Sequence, residues 1–150
     1  MPRRTHLRHF AWACALGAGL TGLGGCGSES SSATGPSGAR LIVIPDLTRE
    51  GMFSLVSGTL GINDQGCFTL DDRVLVVGKG SRVLKGEESI DVADVGVVDL
   101  GARASGGGGL IDGREDVEYF AQAVGLGDEV MACQSDVEEP ALTVLDPPTP

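Results

Sequence analysis

The stretch Val56-Ser57-Gly58-Thr59-Leu60-Gly61-Ile62-Asn63-Asp64-Gln65-Gly66-Cys67-Phe68-Thr69-Leu70 decides the fold. Two β-prone runs, the first opening at Met52 with Phe53 and Leu55, flank the polar segment Asn63-Asp64-Gln65-Gly66. Glycine at the end of such a segment takes the left-handed residue of a turn, so the pattern predicts a β-hairpin. Upstream, Leu41-Ile42-Val43-Ile44 stops at Pro45. Proline cannot donate to a ladder, which predicts an edge strand there. Downstream, Asp71-Asp72 marks a turn before Val74–Val77, and Gly78-Lys79-Gly80-Ser81 a tight connection into Arg82-Val83-Leu84. Ser89–Val92, Val95–Leu100 and Ala141–Leu145 supply further short strands. Gly106 to Gly109 are four consecutive glycines, costly to order. They mark either a close backbone approach or a mobile corner ahead of Leu110-Ile111.

One helix interrupts the pattern. Val117, Phe120, Ala121 and Val124 fall at i, i+3, i+4 and i+7 and make one apolar face. Asp112 is the expected N-cap, Glu115 and Asp116 suit the first turn, and Gly125 suits the residue after the C-cap. Short strands, glycine corners and one helix predict a mainly β fold over residues 40–146. The expected form is a small, partly closed β-barrel plugged by the single short helix, with a β-sandwich as the alternative. Residues 147–150 read as an extended tail.

Ahead of this domain, Met1–His9 is basic through Arg3, Arg4 and Arg8, and Phe10–Leu23 carries no charge. That run is the length of a signal-peptide core and too short for the roughly 18–20 residues that span a bilayer. The tetrapeptide Leu23-Gly24-Gly25-Cys26 resembles the lipobox of bacterial lipoproteins. The resemblance implies a signal peptide over residues 1–25, a diacylglyceryl group on the Cys26 thiol, and Cys26 as the first mature residue. An ordinary cleaved signal with Cys26 as a free thiol is the alternative. Two acyl chains anchor stably where one gives marginal binding. The expected location is the outer face of the cytoplasmic membrane. Residues 26–39, rich in Ser and Gly, have no apolar periodicity and read as a disordered spacer.

Removing residues 1–25 leaves eight basic against 21 acidic residues, a net charge of −13. Such a domain repels phosphate backbones, and it lacks the basic groove and exposed stacking aromatics of nucleic-acid binders. His6 and His9 both precede Cys26, so nucleophile–histidine catalysis has no histidine in the mature domain. Ser81 and Lys85 miss the S-x-x-K spacing by one residue, and Gly78–Ser81 lacks the helix a phosphate loop needs. The acidic pairs Asp71-Asp72, Glu87-Glu88, Glu115-Asp116 and Glu138-Glu139 read as solvated charge. Asn63, Asp64, Asp71 and Asp72 offer oxygen ligands for calcium without EF-hand spacing. No catalytic, cofactor-binding or metal-binding residue is assigned.

Cys14 leaves with the signal and Cys26 is assigned to lipid, leaving Cys67 and Cys133. An exported location permits a disulfide between them; two reduced thiols are the other reading. The runs Val56–Leu60 and Gly66–Leu70, the Gly106–Gly109 corner and Cys133 are together similar to small exported domains of high-GC Gram-positive bacteria, often lipoproteins. That similarity, over about residues 53–133, implies an OB-like barrel and a Cys67–Cys133 pairing, and it carries no catalytic residues. The functional expectation is a membrane-anchored, non-catalytic protein-interaction module of the cell envelope. A module for a small molecule, a cation or an envelope polymer is the alternative.

Overall fold

A computed structural model describes residues 31–35, 38–45, 54–86 and 88–146. The expected signal peptide, Cys26 and the 147–150 tail lie outside them. Ten strands and two helices follow in chain order: β1 (Ser31–Thr34), β2 (Arg40–Ile44), β3 (Ser54–Ile62), β4 (Phe68–Leu70), β5 (Arg73–Gly78), β6 (Arg82–Val83), β7 (Ser89–Val92), β8 (Gly96–Asp99), β9 (Arg103–Asp112), α1 (Arg114–Ala123), α2 (Gly127–Ala132) and β10 (Ala141–Asp146).

The expected hairpin is β3–β4, with Leu60 opposite Leu70 and Ile62 opposite Phe68. Gly66 holds a φ of 75° at the end of its loop, as the turn requires. β3, β4, β5, β10 and β9 then close on one another, β9 returning to β3. Counted within this ring alone, the strands run 1-2-3-5-4 and back to 1. Neighbours are antiparallel except the parallel β5–β10 pair. The result is a closed, five-stranded, OB-like Greek-key barrel. β4 is only three residues long, and β2 continues the wall beyond it, parallel to β5 and joined to Cys67 by a single bridge at Arg40.

Four expectations need correction. β2 is no edge: β1 covers its outer side, and Leu41 to Ile44 are buried on both faces. Pro45 marks the strand's end rather than a place within the ladder. Second, part of the expected spacer is ordered, because Ser31–Thr34 pair antiparallel with Arg40–Val43 as β1, the backbone ladder supplying what the polar side chains cannot. Third, the four glycines lie inside the ten-residue β9 rather than at a corner. A Cβ on Gly106 would sit 2.6 Å from the Asp146 carbonyl oxygen, so close backbone approach is their reason. Fourth, the described residues form two helices, and neither plugs the barrel.

The two cores show why. Inside the barrel, Leu41, Val56, Leu60, Phe68, Leu70, Leu75, Val77 and Leu145 pack with Ile90, Val92 and Val98 of the β6–β7–β8 sheet. That sheet therefore caps one end of the barrel, where β5 finishes. Opposite residues of the same strands, Ile42, Ile44, Val74, Val76, Leu142 and Val144, face outward under the helices and meet Val117, Ala121, Leu126 and Val130. The helices thus cover the outer wall of β2, β5 and β10. α1 starts from Gly113, whose φ is 87°, and not from Asp112, which stays in β9 and makes no cap. Its far end follows the sequence reading. Gly125 donates to the Gln122 carbonyl and Leu126 to that of Ala121, a Schellman closure with Gly125 at φ 73°.

The Asp71-Asp72 turn joins β4 to β5 with φ of 48° and 67°, a two-residue turn of type I′. Both are conformations that favour glycine at the second position. Replacing the exposed Asp72 by glycine is expected to stabilise the domain by about 0.5 kcal/mol, read as a higher urea midpoint at unchanged slope. A lower midpoint would show that the Asp72 side chain itself holds the turn.

Candidate functional site

The end of the barrel opposite the β6–β8 cap is open. Here β3 begins, β5 begins at Arg73, β9 finishes and β10 starts. Leu55, Val56, Ser57, Leu70, Asp71, Arg73, Leu110 and Thr143 line a mouth of about 230 Å³. Two large apolar side chains stand exposed on its rim, Leu55 at 79% and Leu110 at 56%. Asp71 and Arg73 also belong to a wider cleft of about 620 Å³ that adds Asp72, Asp112, Arg114, Glu138, Glu139 and Pro140. Five carboxylates thus meet two guanidinium groups.

Local structure explains the arrangement. The type I′ turn projects Asp71 back over Gly58, where a Cβ would stand 2.7 Å from its Oδ2. The Thr59 N–H donates to Asp71 Oδ1 at 2.7 Å, and the Asp71 N–H donates to the Thr59 carbonyl. Arg73 is ion-paired to Asp112 across the cleft, and Arg114 donates to the Val137 carbonyl at 3.3 Å. These exposed pairs contribute at most about 1 kcal/mol each. Their effect is to hold the cleft's two cations against its wall.

Cys67 and Cys133 form the disulfide, both wholly buried under the helices. The loop of the first hairpin is tied to the same place: Asn63 Nδ2 donates to the Cys133 carbonyl, Asn63 Oδ1 accepts from the Cys67 N–H, and Gln65 Nε2 donates to Asp136. In OB-type barrels the corresponding loops, between strands 1 and 2 and between strands 4 and 5, commonly carry ligands. Here they are stitched together.

Asn63 and Asp64 lie in that loop, away from Asp71 and Asp72, and no three of Asp, Glu, Cys or His among the described residues gather as a metal site. Ser81 is buried, and its hydroxyl accepts from the Ala93 N–H, while Gly78–Ser81 is a tight turn with Gly80 at φ 98°. Tyr119 is the most exposed aromatic among the described residues, standing on α1, whereas Phe68 is fully buried. No row of stacking aromatics lines the mouth. Two acidic pairs read as scattered surface charge, Asp71-Asp72 and Glu138-Glu139, share one cleft. No local signal announces this, since β4, β9 and the segment after α2 meet only through barrel closure. Comparison with protein families, curated proteins and solved structures yields no match.

Proposed function

We propose that the chain is a bacterial lipoprotein whose barrel domain is a non-catalytic protein-interaction module of the cell envelope. Cys26 is its lipid anchor, at the outer face of the cytoplasmic membrane, and an envelope protein is its partner. The lipobox-like Leu23–Cys26 run supports the anchor. No helix among the described residues is long and apolar enough to cross a membrane. The observation that carries the interaction role is the exposed Leu55 and Leu110 at the open barrel end. Two large apolar side chains lining the same mouth mark a contact site more readily than single ones scattered over a surface. The alternative, a site for a small molecule, a cation or an envelope polymer, draws less support. The mouth is smaller than the roughly 300–1,000 Å³ usual for small-molecule pockets, and the wider cleft, though large enough, is lined mostly by charged side chains rather than by the apolar ones such pockets present.

Cys26→Ser is expected to shift the protein from the membrane pellet to the soluble or unprocessed fraction and to abolish fatty-acid labelling. Continued labelling would overturn the anchor. In cells, cross-linking of the wild-type protein followed by mass spectrometry should recover one envelope protein stoichiometrically. Recovery of none would overturn the interaction role.

A further inference from the structure

We propose that the open end of the barrel binds an extended, basic polypeptide segment as an added strand on β3; this rests on the interaction role above and names its partner's chemistry. β3 pairs with β9 from Ser54 to Thr59, but β4 reaches only Leu60 to Ile62 on the other side. Past the Asp71-Asp72 turn, no strand among the described residues covers that second edge. Which groups it presents follows from the ladder. Thr59 directs both its N–H and its carbonyl to the β4 side, toward Asp71, whereas Leu60 bonds Ala102 and Gly101 on the β9 side. Backbone direction alternates along a strand, so Ser57 and Leu55 present theirs on the open edge.

An uncovered strand edge is a template for a further strand, and side-chain contacts then choose the sequence. The choice here is legible in the surroundings. Leu55 and Leu110 offer apolar contact, and the adjoining cleft carries Asp71, Asp72, Asp112, Glu138 and Glu139 against Arg73 and Arg114. A segment alternating apolar and basic residues is complementary to both, with Lys or Arg directed to the carboxylates. An acidic segment is repelled.

The test uses the full-length lipoprotein in non-ionic detergent and a fluorescent nonapeptide alternating Val and Lys, with a Val–Glu peptide as comparison. Anisotropy should show binding of the Val–Lys peptide that weakens as salt rises, and none of the Val–Glu peptide. Ser57→Pro removes an open-edge donor while leaving the β9 ladder intact, and should weaken binding about tenfold, the worth of one backbone hydrogen bond. Ser57→Ala keeps the N–H and should bind as wild type. Asp72→Lys with Glu139→Lys, both on the surface, should reverse the preference between the peptides. Equal binding of the two peptides by wild type, or undiminished binding by a folded Ser57→Pro, overturns the proposal. Failure of the peptide alongside stoichiometric cross-linking of one envelope protein refutes the added strand and leaves the interaction role standing.

Discussion

Replacing Gly108 by alanine is expected to prevent the barrel from closing. Gly108 lies in β9 opposite Leu145, at φ 149°. A Cβ there would be driven into the Val144 carbonyl oxygen and stand 2.9 Å from the Val144 carbonyl carbon. Both are backbone atoms, so no rotamer change relieves the overlap. β10 would have to move, and it pairs with β5 on its other side. The expected loss exceeds about 4 kcal/mol, a large part of the roughly 5–15 kcal/mol that stabilises a domain. Gly101→Ala is the natural comparison. Its φ of 79° lies in the left-handed region that alanine enters at modest cost, and nothing lies within 4 Å of the added methyl, so only strain of about 1 kcal/mol is expected. Urea unfolding and the soluble yield separate the two. A Gly108→Ala protein unfolding within about 1 kcal/mol of wild type would show that β9 and β10 are not packed as described.

Removing the disulfide should produce the second large effect. The bridge spans 66 residues of sequence, and the chain-entropy relation assigns such a loop about 4 kcal/mol. Cys67→Ala with Cys133→Ala takes away the link while leaving small apolar side chains in the buried site. The expected result is a urea midpoint lowered by the equivalent of about 4 kcal/mol, with tertiary structure kept in the absence of denaturant. The loss should be met equally by reducing the unfolded wild type before refolding it under reductant. An unchanged midpoint would show that the Asn63 and Gln65 hydrogen bonds alone join the first hairpin to the segment after α2.

These two positions show what sequence patterning conveys and where it stops. The β3–β4 hairpin was readable because its turn chemistry is local: four polar residues ending in a glycine that must be left-handed. The same holds for Gly125 behind α1. The glycines of β9 carry the opposite lesson, since composition alone makes four glycines look mobile. Their reason is a neighbouring strand more than 30 residues later. α2 gives little sequence signal because it is six residues long and buries few side chains, although Leu126, Val130 and Cys133 do fall at i, i+4 and i+7. The helices' place on the outer wall, and the sheet that caps the barrel instead, depend on the parallel β5–β10 pairing. No short-range pattern encodes it. For the site, the acidic pairs were visible singly, but their meeting at one cleft and the bare edge of β3 depend on strand lengths around the ring.

The ordering of β1 changes the mechanics of anchoring. β1 begins five residues after Cys26, and its first residue lies opposite Val43, near the end of the barrel where β5 finishes. A fully extended chain covers at most about 18 Å over that interval. With Cys26 as the proposed anchor, the domain is held on a short leash fixed to its capped end, not on a long, freely turning tether. The open end then points away from the lipid, about 20 Å further out along β5. On that proposal the molecule has a polarity: the acidic cleft that repels anionic headgroups lies at the end of the barrel away from the anchor.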